Sequence, residues 1–117
     1  MVSREEVKNF LADFHTKLSV FSILFRDERG KNSRALLELE ITPASRRKVI
    51  EELDVSDYCE GPLEDTLYGI SPMWVFGSSV RKKDVYIKVS MGRPSSSVIC
   101  ISFHVAEKPL VYLFKSK

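Results

Sequence analysis

Val85-Tyr86-Ile87-Lys88-Val89-Ser90-Met91 alternates apolar with polar side chains, and Val98-Ile99-Cys100-Ile101-Ser102-Phe103-His104-Val105 does the same. Because successive side chains of a strand point to opposite faces, each stretch predicts a strand with one apolar and one polar face. The intervening Gly92-Arg93-Pro94 has the composition of a turn. The two strands are therefore expected to lie side by side in an antiparallel sheet.

Two further strands are expected in the same half of the chain. Residues 73–76 and 110–114 are short runs of apolar and aromatic side chains. Gly77-Ser78-Ser79 and Glu107-Lys108-Pro109 contain turn residues and are expected to connect them to their neighbours. The second half of the sequence therefore predicts an antiparallel meander.

The N-terminal part has the pattern of an amphipathic helix. Ser3 and Glu6 have the spacing of a capping box, and apolar residues then recur every three or four positions up to Leu18. His15 lies within this helix and is expected on its surface. Residues 20–25 are mainly apolar and favour a short strand.

The segment that follows predicts two more helices. Residues 35–41 suit either a strand or a helical turn, and we favour a short helix. Thr42 and Pro43 are typical of the N-cap and first turn of a helix, which is expected to end at Asp54. Residues 57–65 are rich in acids and turn residues and are expected to form an ordered connection.

These elements predict an α+β fold, with N-terminal helices packed on one face of an antiparallel β-sheet meander. The 117 residues suit a single domain over positions 1–117, and 44% hydrophobic with 29% charged residues is ordinary globular composition. No apolar run approaches the roughly 20 residues of a membrane span, and no secretory signal segment is evident. A cytoplasmic protein is therefore expected.

The cysteine and histidine content argues against a metal site or a disulfide framework. Cys59 and Cys100 lie far apart in sequence, as do His15 and His104, so none of the spacings that prearrange a zinc site occurs. Both cysteines are expected to be reduced thiols, and neither has an evident acid–base partner. The sequence predicts no metal and no cofactor.

The polar faces of the two alternating strands form the candidate active site. If the apolar faces pack against the helices, the other face of adjacent strands carries Tyr86, Lys88, Ser90, Cys100, Ser102 and His104. His104, Tyr86 and Lys88 are the candidate catalytic residues, because they can transfer protons and stabilise a phosphate. The alternative is a solvated outer face of the sheet, where such residues are common.

Basic residues near these strands are candidates for binding phosphate groups. Arg93 follows the first strand, and Arg81, Lys82 and Lys83 are expected at the tip of a hairpin. A charged hairpin tip is also a common solvent-facing feature, and the net charge of +2 is only weakly basic.

Several landmarks occur in the order found in a known family. They are Asp57-Tyr58 after a helix, then Trp74, then Val85-Tyr86-Ile87-Lys88-Val89, then Ile101-Ser102-Phe103. In this order they resemble the MqsR-type toxins of bacterial type II toxin–antitoxin systems, over residues 35–104. The resemblance implies a RelE-like fold, metal-independent cleavage of mRNA, and an antitoxin partner encoded nearby.

The resemblance also implies where the site lies. The family builds it from a lysine, a glutamine, a tyrosine and a second lysine, and those places hold Cys59, Val75, Tyr86 and His104 in this sequence. The tyrosine is matched directly, and His104 is expected to act as proton donor or acceptor. Two functions therefore stay open: an mRNA endoribonuclease toxin that inhibits growth, or a catalytically inactive protein-binding module of the same fold.

Overall fold

A computed structural model describes residues 2–27, 30–65, 69 and 71–115. The three α-helices of this part of the chain precede most of the strands. The elements are α1 Arg4–Phe21, β1 Ile23–Phe25, α2 Lys31–Leu39, α3 Pro43–Glu51, the short 3-10 helix Val55–Asp57, β2 Tyr58–Leu63, β3 Met73–Val80, β4 Lys83–Ser90 and β5 Val98–Val105.

The strands form one five-stranded sheet in the order β1-β5-β4-β3-β2. Strands β2 to β5 are joined as an antiparallel meander, so the expected α+β architecture is confirmed. Strand β1 pairs with β5 in parallel, with Ile23 beside Val98. The sequence did not predict this parallel pairing. The sheet is therefore mixed at one edge.

The helices cover one face of the sheet and bury its apolar side chains. Phe14 and Leu18 of α1, Leu39 of α2 and Ile50 of α3 are at most 2% exposed and belong to one core with the sheet. Phe10 of α1 stacks on Trp74 of β3, with ring centroids 4.5 Å apart. We call this side of the sheet the core face, and the opposite side, which carries Tyr86, the site face.

The predicted starts of the first and third helices are confirmed, and the first helix is longer than expected. The short helix expected at residues 35–41 forms, but as α2 it begins earlier, at Lys31. Ser3 and Glu6 form the capping box, and Thr42 accepts a hydrogen bond from the backbone N–H of Ser45. Helix α1 continues to Phe21 and ends where Ser22 adopts a φ of 67°, so the expected strand is reduced to β1. His15 does not lie free on the surface, because its Nε2 is 2.9 Å from the carbonyl oxygen of Ile50.

Two expected connections belong to strands. Residues 58–63 form β2, because Tyr58 packs into the aromatic core and an edge strand tolerates the missing N–H of Pro62. Residues 77–79 continue β3 as far as Val80. The hairpin turn lies at Arg81 and Lys82, both with positive φ, so the hairpin tip expected there is confirmed.

The expected strand at residues 110–114 does not form among the described elements. Its side chains alternate in burial, with Leu110 and Tyr112 covered and Val111 exposed, but the segment joins no strand of the sheet. Leu110 and Tyr112 lie over the bare backbone of Gly77, where a Cβ would be 2.5 Å from Leu110 and 2.6 Å from Tyr112. The C-terminal segment therefore packs across the site face and not alongside the sheet.

A bulge in β5 changes which side chains share a face. Ser102 pairs with Lys88, but the next pair is Cys100 with Val89, so Ile101 has no partner of its own. Cys100 consequently points into the core and is fully buried, although strict alternation placed it beside Tyr86. The site face loses Cys100, whereas Ser102 and His104 keep their expected orientation.

Candidate active site

Four of the expected polar side chains lie together on the site face. Tyr86 is directly opposite His104, and Lys88 is directly opposite Ser102, in the antiparallel pairing of β4 and β5. The rings of Tyr86 and His104 stack, with centroids 5.3 Å apart and planes 16° from parallel. The Nζ of Lys88 lies 5.9 Å from the centroid of the Tyr86 ring, within the range of a cation–π contact.

These side chains line an open cleft of about 570 Å³ between the sheet and the C-terminal segment. The sheet provides its floor and residues 107–111 provide one wall. The lining residues are Cys59, Glu60, Val75, Tyr86, Lys88, Ser102, His104, Glu107, Lys108, Pro109, Leu110 and Val111. The cleft therefore presents acidic, basic and apolar side chains to a ligand.

The hydrogen bond of His104 fixes the form of its neutral ring. Its Nδ1 lies 3.0 Å from the carbonyl oxygen of Val105. A carbonyl oxygen only accepts hydrogen bonds, so Nδ1 carries the proton. In the neutral ring Nε2 then holds the free electron pair, which suits it to accept a proton from a ligand.

Tyr86 and Ser102 can act as hydroxyl donors in the cleft. Burial raises the pKa of Tyr86, and the nearby Glu60 and Cys59 raise it further. The phenol therefore keeps its proton at neutral pH and can donate a hydrogen bond to an anionic oxygen. Ser102 is 8% exposed and lies beside Lys88, which brings a positive charge to the floor of the cleft.

The two cysteines are poor nucleophiles in this environment. Burial raises the pKa of Cys59 to about 11, helped by the negative charges of Asp57 and Glu60. Burial also raises the pKa of Cys100, which lies within the core. Because the thiolate is the reactive form, neither thiol is activated at neutral pH.

The expected phosphate-binding residues do not join this group. Arg81, Lys82 and Lys83 are exposed around the β3–β4 turn, and none of them lines the cleft. Arg93 is exposed beyond the end of β4, where its carbonyl oxygen accepts a hydrogen bond from Lys17 Nζ. Their separation follows from the register, since the β3–β4 turn and the β4–β5 connection lie at opposite ends of β4.

Three charged residues of the cleft were missed by the sequence interpretation. Glu60 is exposed on β2, which was expected to be a connection, while Glu107 and Lys108 lie in the segment assigned to a turn. The contribution of Glu107 and Lys108 depends on the C-terminal segment crossing the site face. No local sequence signal reports that packing, because it is determined by the space above Gly77.

The four positions that the family resemblance assigns to the site converge in space. Cys59, Val75, Tyr86 and His104 come from four strands and all line the one cleft. Among the described residues, no three His, Cys, Asp or Glu side chains are grouped so as to hold a metal ion. Within the same part of the chain, no helix combines the length and apolar character needed to span a bilayer.

Comparisons of the chain with protein-family models, with curated proteins and with solved structures found no match.

Proposed function

We propose that the protein is a metal-independent endoribonuclease that cleaves mRNA in the cleft around His104. The observation that carries the proposal is the grouping of a histidine, a lysine, a tyrosine and a serine on the floor of one open cleft. Cleavage at a 2′-hydroxyl needs a base, stabilisation of charge on phosphorus, and protonation of the leaving oxygen. The cleft offers side chains suited to the first two tasks, and it is open to water for the third.

His104 is the proposed general base. The Nε2 of its neutral ring takes the proton of the 2′-hydroxyl while the 2′-oxygen forms a bond to phosphorus. The bond from phosphorus to the 5′-oxygen then breaks, and that oxygen takes a proton from a water molecule in the open cleft. The hydroxide that remains takes the proton from the His104 ring, which returns to its neutral form. The products are a 2′,3′-cyclic phosphate and a 5′-hydroxyl. The stack on Tyr86 and the hydrogen bond to Val105 hold the ring in one orientation for this step.

Lys88 and Tyr86 are the proposed stabilisers of the phosphorane. Lys88 brings a positive charge to the developing negative charge on the phosphoryl oxygens, and Tyr86 donates a hydrogen bond from a phenol that stays protonated. Both side chains are half-buried on the strand opposite His104 and Ser102, so they are partly held in place before the substrate binds.

The biological part of the proposal is that the enzyme is the toxin of a toxin–antitoxin pair in the cytoplasm. It is supported by the MqsR-type landmarks and by the convergence of the four implied site positions in the cleft. On this proposal mRNA is the substrate, and an antitoxin encoded nearby binds the protein and prevents growth inhibition. A RelE-like fold is part of the same proposal.

Cleavage of a labelled single-stranded RNA by the purified protein tests the enzymatic proposal. We expect fragments that end in a 2′,3′-cyclic phosphate, and no cleavage where the 2′-hydroxyl is replaced by hydrogen. His104→Ala is expected to lower the rate about 100-fold or more, because acid–base catalysis typically contributes that much. His15→Gln is the matched control, since it changes the other histidine, on the opposite side of the sheet.

Equal cleavage by a folded His104→Ala variant and by the parent would contradict the proposed mechanism. Lack of any cleavage by the parent would favour the protein-binding module with the same fold. Expression without the neighbouring gene separates these functions in cells: growth arrest that His104→Ala relieves supports the toxin, and full tolerance of the parent contradicts it.

A further inference from the structure

A second groove begins where the cleft ends, on the other side of His104. Its volume is about 260 Å³, and it lies between helix α2 and the end of β5. Its lining residues are Lys31, Arg34, Glu38, His104, Val105, Ala106 and Glu107. His104 and Glu107 line both cavities, so the proposed base lies at their junction.

At the junction, Glu107 forms an exposed ion pair with Lys31 of helix α2. Lys31 Nζ lies 2.8 Å from Glu107 Oε1, and both side chains are more than half exposed. Exposed ion pairs contribute little to stability and are easily exchanged for other partners. A phosphate group is therefore able to replace Glu107 as the partner of Lys31.

The second groove also contains Arg34, an exposed cation that is able to bind an anionic ligand. Arg34 is exposed on α2 and, within the part of the chain that the structure describes, forms no ion pair. Its guanidinium can bind a phosphate through two parallel hydrogen bonds. Lys31 and Arg34 thus lie on one side of His104, and Lys88 and Lys108 lie on the other.

We infer that the two cavities form one binding path for a single strand of RNA, with Lys31 and Arg34 holding phosphates beyond the one that is cleaved. This inference rests on the proposed function and adds the extent of the substrate. It assigns phosphate binding to α2 and not to the hairpin tip at Arg81, Lys82 and Lys83. A single strand is the substrate because its bases can turn aside while the backbone follows the groove.

Binding of an RNA that resists cleavage tests the inference without requiring activity. The probe is a fluorescent 2′-O-methyl RNA of about twelve nucleotides, and fluorescence anisotropy measures its Kd over a range of salt concentrations. Arg34→Ala and Lys31→Ala are each expected to weaken binding about 3- to 10-fold and to reduce the salt dependence, since each removes a phosphate contact. Lys82→Ala removes the same charge from the hairpin tip and is expected to bind like the parent.

Removal of the competing acid gives the opposite change. Glu107→Gln is expected to bind the probe more tightly, because Lys31 no longer has to leave a carboxylate. Glu52→Gln is the control, because it makes the same change of charge at an exposed residue that lines neither cavity. It should leave the Kd close to that of the parent. A probe of about three nucleotides should respond less to Arg34→Ala than the long one, because it does not extend beyond the cleft.

The outcomes separate this inference from the proposed function. If the parent binds the RNA and the Lys31, Arg34 and Glu107 variants bind equally well, the path along α2 is wrong while the endoribonuclease proposal stands. If Lys82→Ala is the variant that weakens binding, the RNA follows the hairpin tip and the inference is again wrong. If the parent binds no RNA, both proposals are contradicted and a protein ligand for this surface is favoured.

Discussion

The side-chain amide of Asn32 donates a hydrogen bond of 2.8 Å to the carbonyl oxygen of Ile101, the bulged residue of β5. The same side chain accepts a bond from the N–H of Phe103 and donates to the carbonyl oxygen of Arg26. Strand β1 ends at Phe25, so this part of β5 has no neighbouring strand on that side. Asn32 therefore supplies, next to Ser102 and His104, the hydrogen bonds that a neighbouring strand would otherwise make with β5.

Asn32→Ala is expected to destabilise the fold by about 2–5 kcal/mol, because it leaves buried backbone groups without partners at roughly 1–3 kcal/mol each. Asn32→Asp keeps the shape but cannot donate to the two carbonyl oxygens, so it should also destabilise. Urea denaturation measures the change, with exposed Ser33→Ala as the control. A free energy of unfolding equal to that of the parent for both Asn32 variants would show that the bulge does not depend on this side chain.

Gly77→Ala is expected to displace the C-terminal segment while leaving the sheet folded. An ideal Cβ at position 77 would lie 2.5 Å from Leu110 and 2.6 Å from Tyr112. Both distances are well below van der Waals contact, so the segment has to move. Hydrogen exchange of residues 108–114 should therefore speed up, while exchange in β4 stays slow. Ser79→Ala, on the exposed side of the same strand, is the control. Unchanged exchange at residues 108–114 would contradict the proposed packing.

The site could be predicted from the sequence only where it depends on strand alternation. Tyr86 and His104 face each other as expected, because period-two patterns in adjacent strands leave little choice of face. Cys100 was placed on the wrong face because of the bulge at Ile101, whose carbonyl oxygen binds Asn32, 69 positions away in sequence. Local patterns carry no information about such a contact.

The same reasoning explains the missed wall of the cleft. Residues 110–114 alternate in burial as a strand would, and the sequence cannot distinguish strand pairing from packing over a glycine. The parallel pairing of β1 with β5 also could not be predicted, because a strand of three residues does not indicate whether it runs parallel or antiparallel to its neighbour. The fold class and the site face were therefore predictable, whereas the depth and charge of the cleft were not.

Cys59 is expected to react slowly with Ellman's reagent in the folded protein. Its pKa of about 11, against a usual value of 9.0, leaves about 100-fold less thiolate at pH 8 than in the unfolded chain. The rate should rise steeply as the pH approaches 11, and Cys59→Ser should remove that reaction because Cys100 is buried in the core. Fast modification of native Cys59 at pH 7 would contradict the environment described for this thiol. Cys59→Ser should leave RNA cleavage nearly unchanged.

Tyr112 is expected to make the fold sensitive to alkaline pH. Burial raises its pKa to about 12, and the charges of Cys59, Asp84 and Asp57 add to the shift. A group whose pKa is higher in the folded state contributes stability that is complete below the unfolded value, near 10, and is lost as the pH rises through 12. The free energy of unfolding should fall less over this range in Tyr112→Phe than in the parent. Parallel curves for the two proteins would exclude Tyr112 as a source of the loss.

Lys88→Ala is expected to lower kcat for RNA cleavage about 100-fold and to change KM much less. The reason is that a charge acting mainly on the phosphorane stabilises the transition state more than the bound substrate. Lys88→Arg keeps the charge and should recover part of the rate. Lys82→Ala removes an equal charge outside the cleft and should cleave like the parent.

A rise in KM with kcat preserved in Lys88→Ala would show that Lys88 only binds RNA. Kinetics equal to those of the parent would show that Lys88 has no part in the mechanism. Since Lys88 lies beside Ser102 and within reach of the Tyr86 ring, circular dichroism and the unfolding midpoint of each variant establish that the loss is chemical and not structural.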